Sequence, residues 1–242
     1  MMKKTMKLSK LEEQLLSEKF PSETEYNAAL LRLEDGEPLA YILGEWYFYN
    51  ETYKVSPDCL IPRPETEHIV DELIRVLPKN ARFADLCTGS GCIAISVLCH
   101  RPDITAIAVD ISDKAITIAK QNAVLNGVSD RISFICANIL KDDPLGAELF
   151  DAISSNPPYI CSSVIDTLQE QVKREPRIAL DGGADGLDFY RAIFGKYTNN
   201  VKSGGKIVCE IGYDQGKSLS EAFGCRIIKD YSSNDRVAIL DV

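Results

Sequence analysis

From residue 82 to the C-terminus, segments with the pattern of buried strands alternate with segments of helical periodicity, and this alternation constrains the fold more than any other feature. Strands are predicted at residues 83–86, 104–109, 132–136, 150–154, 206–211, 226–228 and 237–240. Helices are predicted at residues 91–99, 112–125, 187–197 and 215–223. Such alternation is typical of a mostly parallel sheet with helices on both faces. No helix separates the last two strands, so we expect them to be antiparallel.

The chain before residue 62 has a different pattern. Residues 1–35 are predicted to be helical, with an apolar stripe on the first helix and Ser22 as the N-cap of the second. Aromatic and β-forming residues on both sides of Asn50-Glu51 predict a hairpin. We therefore predict a short helical domain at 1–44, a β-hairpin linker at 45–61 and the main domain at 62–242. The residues of the stripe are Leu8, Leu11, Leu15 and Leu16.

Composition narrows the class of protein. The net charge is −9, which disfavours direct nucleic-acid binding because phosphate contacts require a basic surface. The eight cysteines form no C-x-x-C pair and there are only two histidines, so we predict no metal site. No apolar run reaches the roughly 20 residues of a membrane span, and no signal-peptide core follows the basic N-terminus. We expect a cytoplasmic protein.

A glycine-rich turn joins the first predicted strand of the main domain to its helix. Gly89 and Gly91 allow the backbone to approach a ligand closely, and Asp110 ends the next strand about 20 residues later, where a carboxylate can bind ribose hydroxyls. The pattern fits NAD, S-adenosylmethionine or a turn that binds nothing. Asp85, just before the glycines, favours S-adenosylmethionine, which has a cationic amino-acid end and no phosphate.

The segment Asn156-Pro157-Pro158-Tyr159 directly follows the fourth predicted strand, at the sheet edge where ligands bind in open α/β folds. An amide nitrogen is a poor nucleophile and must be held with its lone pair aimed at the methyl carbon. Asn156 offers a side-chain oxygen, and Pro157 a backbone carbonyl, as acceptors for its two N–H groups. Tyr159 offers an aromatic face. We predict that Asn156, Pro157 and Tyr159 are catalytic, through positioning rather than base catalysis.

These motifs and several others resemble those of the release-factor glutamine methyltransferases, the HemK/PrmC family, over residues 36–242. The Asn-Pro-Pro-Tyr segment alone is shared with amino methyltransferases of DNA and RNA, whereas the segments at 62–67 and 179–187 are more specific. The segments that carry the resemblance are 38–44, 61–67, 85–94, 156–159, 175–176, 179–187 and 210–212.

The resemblance implies a Rossmann-like class I methyltransferase sheet, an N-terminal helical part that contacts the substrate, and S-adenosylmethionine as cofactor. It implies, as substrate, the glutamine in the Gly-Gly-Gln loop of peptide-chain release factors, and we expect a monomer. The family usually has an acidic residue near the adenine, where this chain has Asn138. The predicted cofactor contacts are Asp85, Thr88, Gly89, Ser90, Gly91, Cys92, Asp110, Ile111, Asn138, Ile139 and Asn156. The predicted substrate contacts are Arg63, Asn156, Pro157, Pro158 and Tyr159.

Other functions stay open at this point. A glutamine methyltransferase that acts on a ribosomal protein would use the same chemistry and the same residues. An amino methyltransferase of nucleic acid would share the Asn-Pro-Pro-Tyr segment, although the acidic composition disfavours it. An NAD-dependent oxidoreductase would explain Gly89, Gly91 and Asp110 but would leave Asn156 without a role. A non-catalytic binding module would leave all of these residues unexplained.

Overall fold

The computed structural model describes residues 8–242, so the part of the predicted N-terminal helix at residues 1–7 lies outside the described residues. The helices are α1 (Lys10–Lys19), α2 (Glu23–Glu34), α3 (Leu39–Leu43), α4 (Glu67–Val76), α5 (Cys92–His100), α6 (Asp113–Leu125), α7 (Glu170–Lys173), α8 (Asp188–Gly195) and α9 (Gly216–Phe223). The strands are β1 (Glu45–Phe48), β2 (Glu51–Lys54), β3 (Arg82–Leu86), β4 (Thr105–Asp110), β5 (Ile132–Cys136), β6 (Phe150–Ser155), β7 (Val201–Glu210), β8 (Arg226–Lys229) and β9 (Asp235–Asp241).

The main sheet has seven strands in the order β5-β4-β3-β6-β7-β9-β8. Strands β3 to β7 pair in parallel, and β9 pairs antiparallel with both β7 and β8. The predicted parallel sheet and the antiparallel final pair are both confirmed. The chain runs outward from β3 through β4 to β5 and then returns to β6 on the other side of β3. This reversal of direction opens a crevice at the carboxyl ends of the central strands.

Side chains of the central strands alternate between two cores, one on each face of the sheet. On β3, Phe83 belongs to one core, and its neighbour Ala84 belongs to the other. Helices α4 and α5 cover the first face, whereas α8 and α9 cover the second. Strands buried on both faces are the expected outcome for parallel sheets, because each crossover helix needs an apolar surface to cover. The result is a rigid frame for the loops at the sheet edge.

The N-terminal helices have a small core of their own. Leu16, Leu33 and Ile42 are buried there, and Ser22 caps α2 by accepting a hydrogen bond from the Glu25 amide, as predicted. Leu11 of the predicted apolar stripe is instead 64% exposed, because no element within residues 8–242 covers that face of α1. No helix within residues 8–242 has the length and apolar character needed to cross a membrane.

The hairpin β1–β2 forms as predicted, with its turn one residue earlier, at Tyr49–Asn50. Phe48 and Tyr53 of the hairpin are fully buried in the main core, where the Tyr53 hydroxyl contacts Ser96 Oγ of α5 at 2.6 Å. The segment at 45–61 therefore packs on the sheet domain through large aromatic side chains. The division of the chain at residues 44 and 61 stays a prediction.

Three local features differ from the sequence-based expectation. The short helix α3 and the 3-10 and helical turns at 162–173 were not predicted, because none has enough residues for a clear periodicity. Helix α8 ends at Gly195, earlier than predicted, and a 3-10 turn follows it. Strand β7 begins at Val201, five residues before the predicted start, although Gly204-Gly205 disfavours a strand. The strand accommodates the glycines in a register irregularity, because β7 pairs with β6 at Val201 and then again from Lys206 onward.

Candidate active site

A cavity of about 350 Å³ lies at the carboxyl edge of the sheet. Loops that follow four neighbouring parallel strands supply its wall: residues 87–90 after β3, 110–112 at the end of β4, 137–140 after β5 and 156–158 after β6. Its size is within the range of small-molecule pockets, about 300–1,000 Å³. Segments 58–63 and 176–183 and residues at the starts of α5, α6 and α8 also line it. The strand order thus brings together loops that are far apart along the chain.

The glycine loop, residues 85–92, turns sharply at the end of β3. Gly89 and Gly91 have φ values of 55° and 82°, in the left-handed region that favours glycine, and Cys87 also has a positive φ of 58°. Gly91 is the N-cap residue of α5. A Cβ atom at Gly91 would lie 2.8 Å from Ile95 Cδ1, so a larger residue cannot occupy this position without a shift. These constraints hold the loop amides at the cavity wall.

Asp110 stands at the end of β4 and faces the glycine loop. Its Oδ2 accepts a hydrogen bond from the Gly89 amide at 2.8 Å, and its Oδ1 accepts one from the Ser112 amide at 2.9 Å. Burial raises the pKa of this carboxyl, while the two amide bonds oppose the shift. Each carboxylate oxygen can accept a second hydrogen bond. Asp110 is therefore oriented by the backbone and can still accept from two neighbouring hydroxyls of a ligand.

Asp85 lies beneath the glycine loop and is fully buried. It accepts hydrogen bonds from the hydroxyls of Thr88, at 2.6 Å, and Ser154, at 2.8 Å. Burial raises its pKa to about 7, although both hydroxyls oppose the shift. Asp85 is not part of the cavity wall, whereas Thr88 is. The Asp85 carboxyl therefore bonds Thr88 and Ser154, and only through Thr88 is it connected to the cavity wall.

Asn156, at the end of β6, lines the cavity and takes part in a hydrogen-bonded chain. Its Nδ2 donates to Thr66 Oγ1 at 3.1 Å, and that hydroxyl is 2.5 Å from Glu210 Oε2. The Tyr159 hydroxyl donates to the other carboxyl oxygen, Glu210 Oε1, at 3.3 Å. One of the two amide N–H groups is thus bonded within the protein, and the side-chain oxygen of Asn156 is available to accept from a ligand.

The backbone of the Asn-Pro-Pro-Tyr loop, residues 156–159, is held from outside the loop. Gln215 Nε2 donates to the Tyr159 carbonyl at 3.0 Å. The Ile160 amide donates to the Leu180 carbonyl at 2.9 Å, and the Gly182 amide returns a bond to the Ile160 carbonyl at 2.9 Å. A Cβ atom at Gly182 would lie 2.7 Å from Tyr159 Cα, so only glycine allows this approach. The loop is thus fixed by the segment 180–182.

Arg63 lines the cavity and forms an ion pair with Glu175. The Glu175 side chain is almost completely buried, and its second oxygen accepts from the Ile61 amide at 3.1 Å. Arg63 itself is partly exposed. The buried Glu175 carboxylate holds the Arg63 guanidinium at the cavity wall. Removal of either partner would leave the charge of the other uncompensated.

The structure brings most of the predicted site residues to one cavity. The predicted residues that line it are Arg63, Thr88, Gly89, Ser90, Cys92, Asp110, Ile111, Asn138, Ile139, Asn156 and Pro158. Four predicted residues lie behind this wall and do not line it: Asp85, Gly91, Pro157 and Tyr159. Of these, Tyr159 directs its hydroxyl at Glu210. The Asn138 side-chain oxygen accepts from the Leu140 amide at 2.9 Å, so any ligand contact to that oxygen would be a second one.

Four residues that support the site were not predicted as site residues: Thr66, Glu175, Glu210 and Gln215. The first three lie in segments that carry the family resemblance, at 61–67, 175–176 and 210–212. Glu210 is fully buried at the carboxyl end of β7. A charged residue there was a usable signal, because an isolated buried carboxylate is costly and needs partners. The position of Thr66 beneath Asn156 had no such signal, since 90 residues separate the two in the chain.

Charge distinguishes between ligands for this cavity. Four aspartates line it: Asp58, Asp110, Asp181 and Asp188. Three of them form ion pairs with exposed cations, Asp58 with Lys114, Asp181 with Arg177 and Asp188 with Arg191, so within residues 8–242 Asp110 is the one aspartate of the wall without a cationic partner. The basic side chain in the wall is Arg63, already paired with Glu175. A pyrophosphate would be repelled by this wall, whereas a cationic ligand would be attracted. The arrangement therefore fits a ligand that carries ribose hydroxyls and positive charge and disfavours a dinucleotide.

The comparison with known proteins defines first the class and then the family. The model of the methyltransferase small domain matches residues 68–184, and the curated relatives are methyltransferases as well, so the chain is a methyltransferase. The solved ribosomal protein L11 methylase from Lactobacillus delbrueckii subsp. bulgaricus has the same fold, with a TM-score of 0.53 and 22% identity over 77% of this chain and 83% of that chain.

Curated relatives identify the family. The release factor glutamine methyltransferase of Aquifex aeolicus is 38% identical over 211 residues, which cover 84% of this chain and 74% of the relative. The protein of the same name from Neisseria gonorrhoeae is 37% identical over 230 residues, which cover 92% and 84% of the two chains. The chain belongs to the release factor glutamine methyltransferase family.

Proposed function

We propose that this methyltransferase transfers a methyl group from S-adenosylmethionine to the side-chain amide nitrogen of the glutamine in the Gly-Gly-Gln loop of peptide-chain release factors. The observation that carries the proposal is the hydrogen bonding of the Asn156 side-chain amide. Its amide N–H is bonded to Thr66, which leaves its oxygen at the cavity as an acceptor for a substrate N–H. The names of the relatives specify the protein substrate.

S-adenosylmethionine supplies an electrophilic methyl group on a sulfonium. The residues of this chain fit such a ligand, because the Asp110 carboxylate can bind two ribose hydroxyls and the acidic wall attracts a cation. The glycine loop presents Thr88 to Ser90 to the cavity. We assign Ile111, Asn138 and Ile139 to the adenine side, because they lie in the cavity wall after β4 and β5, on the side away from Asn156.

The catalytic task of the chain is to aim the amide nitrogen. The Asn156 oxygen accepts one N–H of the glutamine side chain, and the Pro157 carbonyl is assigned to the other. With both N–H bonds held, the nitrogen lone pair has one direction in which to react. Tyr159 does not line the cavity, so its support of the planar group is assigned to holding the loop, through the bond of its hydroxyl to Glu210. Arg63, in the cavity wall, is assigned to the substrate. The nitrogen is positively charged and acidic once it is methylated, so it loses one proton to solvent and no side-chain base is required; the other product is S-adenosylhomocysteine.

The proposal further places the enzyme in the cytoplasm, acting as a monomer and without direct contact to nucleic acid. The net charge of −9 supports the last of these points, because a nucleic-acid substrate would be repelled at long range. The N-terminal helices α1 and α2 are assigned to the docking of the release factor.

The test is methyl transfer with labelled S-adenosylmethionine, followed by mass spectrometry to locate the methyl group. We expect label on purified release factor and none on a release factor whose loop glutamine is replaced by alanine. Ribosomal proteins and DNA and RNA oligonucleotides are the competing substrates. Transfer to any of these that equals transfer to the release factor would contradict the proposed substrate.

A further inference from the structure

Three segments that are distant in the chain meet behind the proposed substrate site. Thr66 lies in the 3-10 turn before α4, Asn156 follows β6, and Glu210 ends β7. The chain of hydrogen bonds runs from Asn156 Nδ2 to Thr66 Oγ1 and from the Thr66 hydroxyl to Glu210 Oε2. Thr66 and Glu210 are both almost completely inaccessible to solvent. Water therefore does not replace any of these bonds.

The direction of each hydrogen bond follows from the chemistry of the groups. An ionised carboxylate only accepts, so Thr66 must donate its single hydroxyl proton to Glu210. The hydroxyl oxygen is then left with lone pairs alone, and its other partner must be a donor. Of the two ends of the Asn156 amide, the nitrogen meets this requirement and the oxygen does not. The carboxylate thus determines, through Thr66, which end of the amide faces the cavity.

The orientation of the amide matters for the proposed reaction, on which this inference rests. A glutamine side-chain nitrogen approaches as a donor and needs an acceptor. If the Asn156 amide were reversed, an NH₂ group would face the substrate N–H, and the two donors would repel each other. The two orientations have almost the same shape, so packing alone cannot select between them. A directional network is required.

A second hydroxyl and a cation support the ionised form of Glu210. The Tyr159 hydroxyl donates to Oε1, so both carboxyl oxygens accept. Burial raises the pKa of Glu210, whereas Thr66, Tyr159 and the positive charge of Arg236 on β9 oppose that shift. Glu65, in the same turn as Thr66, adds negative charge nearby. Two donors that converge on one carboxyl group are what an ionised carboxylate accepts.

We propose that Thr66 and Glu210 are positioning residues that orient the Asn156 amide, so that its oxygen, and not its nitrogen, faces the substrate glutamine. Thr66→Val keeps the shape of the side chain and removes the acceptor. We expect kcat to fall about tenfold, the worth of one hydrogen bond, while the KM for S-adenosylmethionine changes less than twofold. Thr66→Ser keeps the hydroxyl and should retain most of the wild-type kcat.

Glu210→Gln provides a second variant that does not depend on Thr66→Val. Its amide can offer either an oxygen or an NH₂ group to Thr66, so both orientations of Asn156 become accessible. We expect a loss of kcat of about two- to fivefold, smaller than that of Thr66→Val.

Thr117→Val is the matched control for Thr66→Val, because Thr117 is exposed on α6 and its hydroxyl bonds only the Asp113 carbonyl. It should have the wild-type kcat.

Nuclear magnetic resonance tests the network without turnover. In protein labelled with ¹⁵N-asparagine, the Asn156 side-chain signal is identified by its loss in Asn156→Ala. Its protons should exchange slowly in the wild type and in Thr66→Ser, and faster in Thr66→Val. Unchanged exchange in Thr66→Val would overturn the inference, as would a Thr66→Val kcat within twofold of the wild type or a Thr66→Ser enzyme as slow as Thr66→Val. Failure of wild-type methyl transfer to release factor would instead contradict the proposed function.

Discussion

The glycine loop and the Asn-Pro-Pro-Tyr loop stand at the ends of two neighbouring strands, β3 and β6, yet they are held in place by different means. The glycine loop takes its shape from its own residues: the positive φ of Gly89 and Gly91, the capping of α5 and a bond to the adjacent strand end at Asp110. Most of these contacts span few residues or join directly paired strands.

The Asn-Pro-Pro-Tyr loop depends on distant segments. Thr66, 90 residues earlier in the chain, contacts its first residue, while Glu210 and Gln215, more than 50 residues later, contact its last. The difference suggests a division of labour. A cofactor is a constant ligand and can be bound by a local turn, whereas a substrate nitrogen must be aimed, and aiming requires supports from several directions. Variants of the glycine loop should therefore weaken cofactor binding, whereas variants of the Asn-Pro-Pro-Tyr loop should slow methyl transfer.

The largest effect is expected for Asn156→Ala, which removes the acceptor and leaves the substrate nitrogen poorly aimed. We expect kcat to fall about 100-fold or more, by analogy with other positioned polar groups. Asn156→Asp still offers oxygen acceptors and should keep partial activity. Asn199→Ala, a substitution at an exposed asparagine in the 3-10 turn after α8, serves as the control. Near-normal turnover of Asn156→Ala would contradict the positioning role of Asn156 and would leave the loop a purely structural turn.

Asp110→Ala is the corresponding change in the cofactor site. The loss of hydrogen bonds to a charged acceptor should weaken S-adenosylmethionine binding by about 1.5–3 kcal/mol, or roughly 10- to 100-fold in Kd. Isothermal titration calorimetry measures the change, with the exposed Asp130→Ala as control. NADH should not bind to the wild type, because the cavity wall is acidic. Tight NADH binding without S-adenosylmethionine binding would overturn the cofactor assignment.

Gly182→Ala tests whether the support of the second loop comes from outside it. The added Cβ would lie 2.7 Å from Tyr159 Cα and 2.8 Å from the Pro158 carbonyl oxygen, so the loop must move. We expect kcat to fall on the order of tenfold, because small displacements of positioning groups are costly. The affinity for S-adenosylmethionine should be nearly unchanged. Gly195→Ala is the matched control, since a Cβ there meets nothing within 4 Å; equal effects of the two changes would refute the argument.

The effect expected for Asp85 is smallest in catalysis and is visible instead in stability. Its pKa of about 7 in the folded protein exceeds the ordinary value of 3.8, so the folded state holds a proton that the unfolded chain releases between these values. The unfolding free energy of the cofactor-free protein should therefore fall as pH rises from about 4 to 7, by at most about 1.4 kcal/mol per pH unit from this group. Urea denaturation of Asp85→Asn should lack this contribution. Identical pH dependence in both proteins would show that Asp85 is ionised throughout.

The same contrast between the two loops explains what the sequence could predict. The strand and helix order, the antiparallel final pair, the cap at Ser22 and the turn at Gly89 and Gly91 were accessible, because periodicity, capping residues and glycines are local signals. Asp110 was accessible for the same reason, since it ends a strand at a fixed distance from the glycines.

The supports of the Asn-Pro-Pro-Tyr loop could not be predicted in this way. Nothing local to Thr66 indicates that its hydroxyl lies between Asn156 and Glu210, because that contact exists only once β6, β7 and the turn before α4 are assembled. Asp85 was accessible only in part. Its charge and position predicted a cofactor contact, which stays a prediction, whereas only the folded structure reveals that its two oxygens accept from Thr88 and Ser154 and that it does not line the cavity.

The division of labour between the two loops is tested most directly by the Kd of S-adenosylmethionine for Asn156→Ala, measured by calorimetry. Because the glycine loop and Asp110 are held independently of Asn156, the account predicts that the Kd changes only a few-fold while kcat falls about 100-fold or more. A loss of cofactor affinity as large as that of Asp110→Ala would contradict it, since the two loops would then form a single binding site.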